Sequence, residues 1–486
     1  MRYLSTRDRR QRPLLRSFEE VLLRGLAEDG GLYLPESLPR LDASNWEGLC
    51  ALPYAELAAR VMALFAGDAF SLHELSALAA KAYRGFRHAA VTPLVEIDER
   101  FWLLELFHGP TLAFKDLALQ FLGRLFDAAL ARRGEHVTIV AATSGDTGAA
   151  AIAACRELSA VDLFVLYPHE RISQVQRRQM TTVESPNVYA IAIEGSFDDC
   201  QDLVKALFAD LALRERLKLT AVNSINWARI AAQIVYYLAA GFALGAPLRA
   251  LSFSVPTGNF GDAYAGHLAR RLGLPIRRLV VATNRNDILT RYLESGRMEM
   301  EAVAPSLSPS MDIGVPSNFE RLLYELLGEK GGAVAEAMLF FRQRRALPQQ
   351  EEAWQEARRL FAARRVDDAE TMATIARVYA RSGVLVDPHT AVAVAAGEKE
   401  LQRDRDKAPM IALASAHPAK FPEVVERATG VRPSLPPALA DLCERRERIL
   451  LLKNDYAEVR GFIESRAKRG ARAPSAPQGA LLRDAP

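Results

Sequence analysis

Val137-Thr138-Ile139-Val140-Ala141-Ala142, then Thr143-Ser144-Gly145-Asp146-Thr147-Gly148, then the run 149–158 is the stretch whose reading decides the fold. Six apolar or β-branched residues read as a strand, the segment bearing Gly and Ser as a tight turn, and the Ala-rich run as a helix. The same succession recurs along the chain. From about residue 96 onward, short runs rich in Val, Ile, Leu and Phe alternate with longer helical patterns, which is the signature of βαβ units and a mostly parallel sheet. Strands are expected at 101–107, 137–142, 162–167, 188–193, 251–255, 279–283, 383–386 and 410–413. The core is α/β.

Upstream, residues 1–95 read as a mostly helical extension. Ser17 and Glu20 form a capping box ahead of an amphipathic stretch from Phe18 to Leu26, which the turn Asp29-Gly30-Gly31 ends. The core is divided at 96–245 and 246–465. Between Gly296 and Ser317 a long irregular loop rich in Pro, Ser and Met precedes a helix at 319–327. Residues 466–486, mostly Ala, Pro, Arg and Gly, are expected to be a poorly ordered tail.

The chain has 486 residues, half of them apolar and a quarter charged, enough for more than one core. Lys plus Arg number 62 against 59 for Asp plus Glu, a net charge of +3 that is too small and too dispersed for a nucleic-acid surface. Cys50, Cys155, Cys200 and Cys443 lie far apart without a C-x-x-C pair, so neither a zinc site nor a disulfide framework is indicated, which suits a reducing cytoplasm. The longest apolar run, 230–246, carries Gln233 and falls short of about 20 residues; it reads as a buried helix, not a membrane span. Early arginines such as Arg2, Arg7 and Arg9 resemble a transit peptide, but Asp8, Glu19 and Glu20 are acidic residues such peptides avoid. The expected location is the cytoplasm.

Three loops share the design of strand, short turn and helix, and in such sheets ligands gather at the carboxyl ends of the strands. In the first, residues 107–116, Lys115 enters the first turn of a helix with apolar positions 114, 118, 121, 122, 125 and 129. The helix dipole and the apolar neighbours Leu112, Phe114 and Leu117 both disfavour its ammonium form, which suits a Schiff-base nucleophile. The chain uses ten lysines beside 52 arginines, which favours a specific need for lysine there, although a solvated surface lysine is the ordinary alternative. The second loop is 143–148, whose glycines admit close approach of a ligand to the backbone and whose helix start offers N–H groups to a carboxylate or phosphate; Asp146 and Thr147 serve equally as helix caps. The third, Pro256-Thr257-Gly258-Asn259-Phe260-Gly261-Asp262, is suited to form a phosphate nest or an ordinary left-handed turn. Neither turn matches the P-loop or the dinucleotide fingerprint. An isolated lysine with two anion-cradling turns fits an aldehyde cofactor carrying one phosphate, pyridoxal 5'-phosphate. No metal is implied.

The segments HGPTLAFKD (108–116), TSGDTG (143–148), NSINWAR (223–229), PTGNFGD (256–262), SMDIGVPSNFER (310–321) and SAHPAKF (415–421) stand in the order found in threonine synthases. So do YLSTR (3–7) and GLAEDGGLYLPE (25–36), and the resemblance runs to about residue 465. It implies the tryptophan-synthase-β-like fold, fold type II, in which two α/β domains clasp pyridoxal phosphate behind a helical N-terminal extension. By that resemblance Lys115 matches the Schiff-base lysine, and Gly258, Asn259, Phe260 and Gly261, with Asp262, the cofactor-phosphate cradle. Ser415 matches the contact to the pyridine nitrogen. Asp146 stands where related enzymes have Asn against the cofactor's phenolic oxygen, a place where an ionised carboxylate would repel a phenolate. Thr143, Ser144 and Thr147 match the substrate-carboxylate site, and Asn223, Ser224 and Arg229 the substrate-phosphate site, where an arginine fork suits phosphate oxygens. His389 and His417 receive no catalytic role.

The implied reaction converts O-phospho-L-homoserine and water to L-threonine and phosphate, the last step of threonine biosynthesis and the work of a lyase. The expected partner is that small molecule, with neither nucleic acid nor membrane, and the chain is a monomer or a homodimer. Two rivals remain at this stage: a phospho-lyase or dehydratase of the same fold releasing a 2-oxo acid, and a binding protein that keeps the scaffold without turnover.

Overall fold

Strands that are apolar at every position need cover on both faces, as in a parallel sheet between helices. In the computed structural model, which describes residues 1–41, 43–220, 224–403 and 408–468, Leu251–Pro256 and Met410–Ala414 are buried at every position. They lie at the middle of a six-stranded sheet ordered Ala362–Arg365, Ile276–Thr283, Leu251–Pro256, Met410–Ala414, Phe101–Glu105, Leu94–Asp98. All its pairs are parallel except the edge hairpin of Leu94–Asp98 with Phe101–Glu105. A second, five-stranded sheet is parallel throughout, in the order Leu450–Lys453, Val188–Glu194, Val161–Pro168, Val137–Ala142, Leu219–Thr220.

The strand expected at 383–386 is absent. Gly383, with φ of 70°, caps the helix Asp368–Ser382, and the next helix begins at Pro388, so the apolar residues between them join two helices instead of pairing. The edge strands Ala362–Arg365 and Leu450–Lys453 went unforeseen because each is only four residues long and ends in charge, Arg364 and Arg365 in one and Lys453 in the other, too short to stand out as a strand. Pairing crosses the boundaries drawn at 95/96 and 245/246: strands 94–98 and 101–105 join the sheet built mainly from 251–414, and 450–453 joins the other. The helix Tyr456–Arg466 reaches the start of the expected tail, of which 469–486 lie outside the described residues.

In the extension, Ser17 and Glu20 do form the capping box of the helix Phe18–Arg24, but Gly25 ends it, with φ of 69°, four residues before the turn at Asp29. A two-stranded antiparallel pair, Tyr3–Ser5 with Tyr33–Pro35, brings Tyr3 against Trp227, with ring centroids 6.0 Å apart, and Phe65 meets the same indole edge-on at 5.6 Å. Trp227 opens the buried helix Trp227–Ala243, the expected apolar run, so the extension grips the helix that carries Arg229. No helix among the described residues is long and apolar enough to cross a membrane.

Candidate active site

Four strands of the two sheets end in the loops singled out above, and backbone hydrogen bonds lock two of those loops to each other. Phe114 N donates to Ser415 O at 2.8 Å and His417 N to Leu112 O at 3.0 Å, so the loop after Phe101–Glu105 is tied to the loop after Met410–Ala414. Lys115 and Ser415 are thereby neighbours. Beneath them Asp116 accepts from Thr111 N and Thr111 Oγ1, both at 2.7 Å, and a Cβ on Gly109 would lie 2.4 Å from that of Asp116, which is why the loop needs glycine there.

Lys115 is the first residue of the helix Lys115–Arg133 and is buried. Burial lowers its pKa below the ordinary lysine value; Arg229 and Lys420 act in the same direction, while Asp146 and Asp262 oppose it. The amine is thus closer to its neutral, nucleophilic form than a solvated lysine.

The turn after Val137–Ala142 is shorter than expected, because its helix starts at Asp146 instead of 149. Gly145 takes φ of 134°, a conformation open to glycine, and a Cβ there would strike Gln176 at 2.5 Å. Thr143 Oγ1 accepts from Gly145 N at 3.0 Å and Gly148 N at 2.8 Å; the N–H groups of Ser144, Asp146 and Thr147 have no acceptor among the described residues. Ser144 is exposed and Thr147 half-buried. Asp146 Oδ1 is 2.7 Å from Lys420 Nζ and accepts from Gln176 Nε2 at 2.8 Å, and its Oδ2 is 3.7 Å from Lys115 Nζ. Burial by itself raises a carboxyl pKa, but the two ammonium groups outweigh it and hold Asp146 far below the usual range, ionised.

The turn after Leu251–Pro256 is built differently. Phe260 is left-handed, with φ of 65°, and the helix Gly261–Leu272 starts two residues earlier than expected. Among the described residues, nothing accepts from the consecutive N–H groups of Gly258, Asn259, Phe260 and Gly261. Four such donors at a helix start form a cradle for a phosphate-sized anion. Asp262 accepts from Ala263 N at 2.9 Å, and burial raises its carboxyl to about 6. Arg229 is buried, and its Nη1 finds no hydrogen-bond partner among the described residues; burial lowers its pKa to about 10. An uncompensated buried guanidinium is costly unless an anion meets it. Ser224 stands nearby, its carbonyl accepting from Asn318 Nδ2 at 3.2 Å, whereas Asn223 lies outside the described residues.

The motif 310–321 explains how these parts hold together. A Cβ on Gly258 would come 2.8 Å from Ser310 O, so the segment roofs the turn at van der Waals range. Asn318 N donates to Asn259 O at 3.1 Å, and Arg321, fully buried, donates to Tyr33 O at 3.2 Å and Ile225 O at 2.5 Å. Glu320 accepts from Thr6 Oγ1 at 2.6 Å and pairs with Arg7 at 2.7 Å. One segment thus joins the phosphate turn, the Ser224 loop and the N-terminal pair of strands. His389 belongs to this support: its Nδ1 is 2.6 Å from Asp387 Oδ2 and its Nε2 accepts from Ser310 N at 3.1 Å. His417 Nδ1 accepts from Ala419 N, and burial pushes the imidazole down to about 4, so it stays neutral.

Sequence reading missed Lys420 and Gln176. Lys420 lies inside SAHPAKF, and the scarcity of lysine that drew notice to Lys115 applies to it as well; Gln176 carries no sequence signal beyond its capping box with Ser173. A phosphorylated aldehyde fits the residues present: a buried amine with a lowered pKa, a nest of free N–H groups, and the hydroxyl of Ser415 beside the amine's loop. Among the described residues, no group of His, Cys, Asp and Glu is placed to hold a metal ion.

Comparison with known proteins agrees along most of the chain. Residues 2–83 match the family model described as threonine synthase N terminus, 86–347 that of pyridoxal-phosphate-dependent enzymes, and 390–463 that of the threonine synthase C-terminal part. A threonine synthase of Pseudomonas aeruginosa is 54% identical over 97% of this chain and 99% of its own length. The crystal structure of pyridoxal-phosphate-bound threonine synthase from Brucella melitensis superposes with a TM-score of 0.93 at 48% identity, covering 96% of this chain and 100% of that one. The yeast threonine synthase structure gives 0.91 at 39%, covering 96% and 98%. With the buried lysine, the phosphate nest and this agreement along the chain's length, the chain belongs to the threonine synthases, pyridoxal-phosphate-dependent enzymes of fold type II.

Proposed function

We propose that the chain converts O-phospho-L-homoserine and water to L-threonine and inorganic phosphate, as a carbon–oxygen lyase acting on phosphate. The observation that carries this reading is the pairing of two separate anion sites around one buried amine: the four free N–H groups of 258–261, and Arg229 with its unpartnered Nη1. A phosphorylated cofactor and a phosphorylated substrate need one each.

In this reading Gly258, Asn259, Phe260 and Gly261 bind the cofactor phosphate, with Asp262 closing the first turn of the helix, and Ser415 meets the pyridine nitrogen. Bound pyridoxal phosphate supplies the electron sink. Lys115 would hold the cofactor through its aldehyde group, and its amine, when free, would move protons at Cα and Cβ of the substrate. Ser224 and Arg229, together with Asn223, bind the phosphate that leaves from Cγ. Ser144 and Thr147 offer hydroxyl and N–H donors to the substrate carboxylate, and Thr143, whose oxygen already accepts two N–H groups, shapes that turn and keeps one proton to donate. Asp146, its charge offset by Lys420, would stand on the side of the cofactor's phenolic oxygen. Water is then admitted at Cβ while the loops protect reactive species from early release.

The two sheets form the cores of two domains, 96–245 and 246–465 in the main, with 94–105 and 450–466 exchanged across the boundary. A small metabolite as sole partner and a cytoplasmic location suit a biosynthetic activity of this kind. The test is a product assay with O-phosphohomoserine: threonine and phosphate in equal amounts are expected, and 2-oxobutyrate with little threonine overturns the reading in favour of a phospho-lyase. Borohydride reduction of the holoenzyme followed by peptide mapping should place the label on Lys115; a label on another lysine removes the assignment.

A further inference from the structure

Lys420 is fully buried on the single turn Pro418–Lys420. Its ammonium donates to Thr111 O at 2.8 Å and pairs with Asp146 Oδ1 at 2.7 Å. The other oxygen of the same carboxylate faces Lys115 at 3.7 Å, while Gln176 Nε2 donates to the oxygen that Lys420 holds. One carboxylate therefore stands between two buried ammonium groups and lies closer to the one that has no solvent access. Lys420 is not itself available as a nucleophile, because its ammonium is held by a carboxylate and a carbonyl and its side chain is sealed, whereas Lys115 keeps about a tenth of its side chain accessible.

We propose that Lys420 is a positioning residue that sets the charge state of Lys115 through Asp146. It draws the carboxylate's field to itself, so that Lys115 is loosely held as an ammonium and yields a free amine to an aldehyde near neutral pH. It also clamps the loop that leads to Lys115, since the Thr111 whose carbonyl it holds also binds Asp116 through its N–H and hydroxyl. The charged groups facing Lys115 are Asp146, Arg229 and Asp262 from three helices and Lys420 from its turn. Without Lys420, Asp146 acts on Lys115 alone, and an opposite charge within about 4 Å favours the charged amine by about one pH unit or more.

The inference rests on the reading of Lys115 as the cofactor amine, and the test separates the two. Full-length chain stripped of cofactor is labelled over a pH series with a small amine-specific reagent, and modification of Lys115 is quantified by peptide mass. In Lys420→Met the midpoint for Lys115 should rise by about one unit or more over wild type. In the double variant Asp146→Asn with Lys420→Met it should return to within a few tenths of a unit, and Lys420→Arg, which keeps the charge, should hold it near wild type. An unmoved midpoint in Lys420→Met, or no return in the double variant, overturns the inference. If Lys420→Met does not fold, the double variant decides: it leaves no unpaired charge at positions 146 and 420, so it should fold with a wild-type midpoint, and its unfolding or a displaced midpoint overturns the proposal. A borohydride label absent from Lys115 in wild-type holoenzyme defeats the functional reading instead; a label on Lys115 with an immobile midpoint defeats this inference alone.

Discussion

The turns 143–148 and 256–262 are near twins in sequence, each a Gly-bearing link between a buried strand and a helix with an aspartate at its start, yet they are chemically opposite. In the first, Thr143 consumes the N–H groups of both glycines, and the three donors left are not consecutive. In the second, four consecutive N–H groups stay free among the described residues, where Phe260 turns left-handed and no side chain folds back to take them. The first suits a carboxylate bound by hydroxyls and scattered N–H groups, the second a phosphate. Their aspartates diverge in the same way: Asp146, flanked by Lys115 and Lys420, is held ionised, whereas burial raises Asp262 to about 6. A motif states what a turn is able to do; its neighbours decide which of its donors remain available.

Lys115 stands between the two turns, and the largest effect comes from removing it. Lys115→Ala should still load cofactor through the 258–261 nest but lose its imine absorption band and at least about a thousandfold in kcat. Near-normal turnover would break the picture of one amine served by two anion sites.

Glycine substitutions sharpen the comparison next. Gly258→Ala places a methyl 2.8 Å from a backbone oxygen, Ser310 O, which cannot swing away; cofactor affinity, followed by titration of the imine band, should fall about tenfold or more. Gly145→Ala strikes the side chain of Gln176 and meets an unfavourable φ, so it should cost about 1–3 kcal/mol of stability in denaturant unfolding with a much smaller change in cofactor affinity. Equal effects on affinity would make the turns equivalent after all.

The smallest effect is in pH dependence. Asp262 has a folded pKa of about 6 against an unfolded 3.8, so the folded state binds the extra proton, and its contribution to stability falls as pH rises from about 4 to 6 and is flat above. Asp146 runs the other way, contributing stability above the usual carboxylate range that is lost as pH falls below about 4. Melting temperatures of cofactor-free chain should therefore show Asp262→Asn gaining on wild type between pH 4 and 6, by at most about 3 kcal/mol, and Asp146→Asn losing ground as pH rises through 4. Parallel profiles for the two variants would contradict the opposed environments.

Much of the fold was legible. The strand at 137–142 coincides with the structure, and those at 162–167, 188–193, 251–255, 279–283 and 410–413 lie within observed strands, because doubly covered strands write themselves as apolar runs. Helix starts were placed late at 149 and 263 because the polar residues of a binding turn also occupy the first helical turn. Lys115 stood out by its apolar setting and by the scarcity of lysine. The role of 310–321 did not: Asn318, Glu320 and Arg321 act on Ser224, Thr6 and Tyr33, each far away along the chain.

By itself the sequence determined the α/β class and the strand-turn-helix units and singled out Lys115 and the Gly-bearing turns as candidates, since periodicity and turn chemistry arise among residues a few positions apart. Only the tertiary structure decided which turn keeps its donors free, that Arg229 is buried with its Nη1 lacking a hydrogen-bond partner among the described residues, and that Asp146 is shared between two lysines. Lys420 and Thr111 are 309 positions apart, and what joins them is the parallel pairing of Met410–Ala414 with Phe101–Glu105. Charge compensation depends on distance through space in a poorly polarisable interior, and no local pattern encodes that distance.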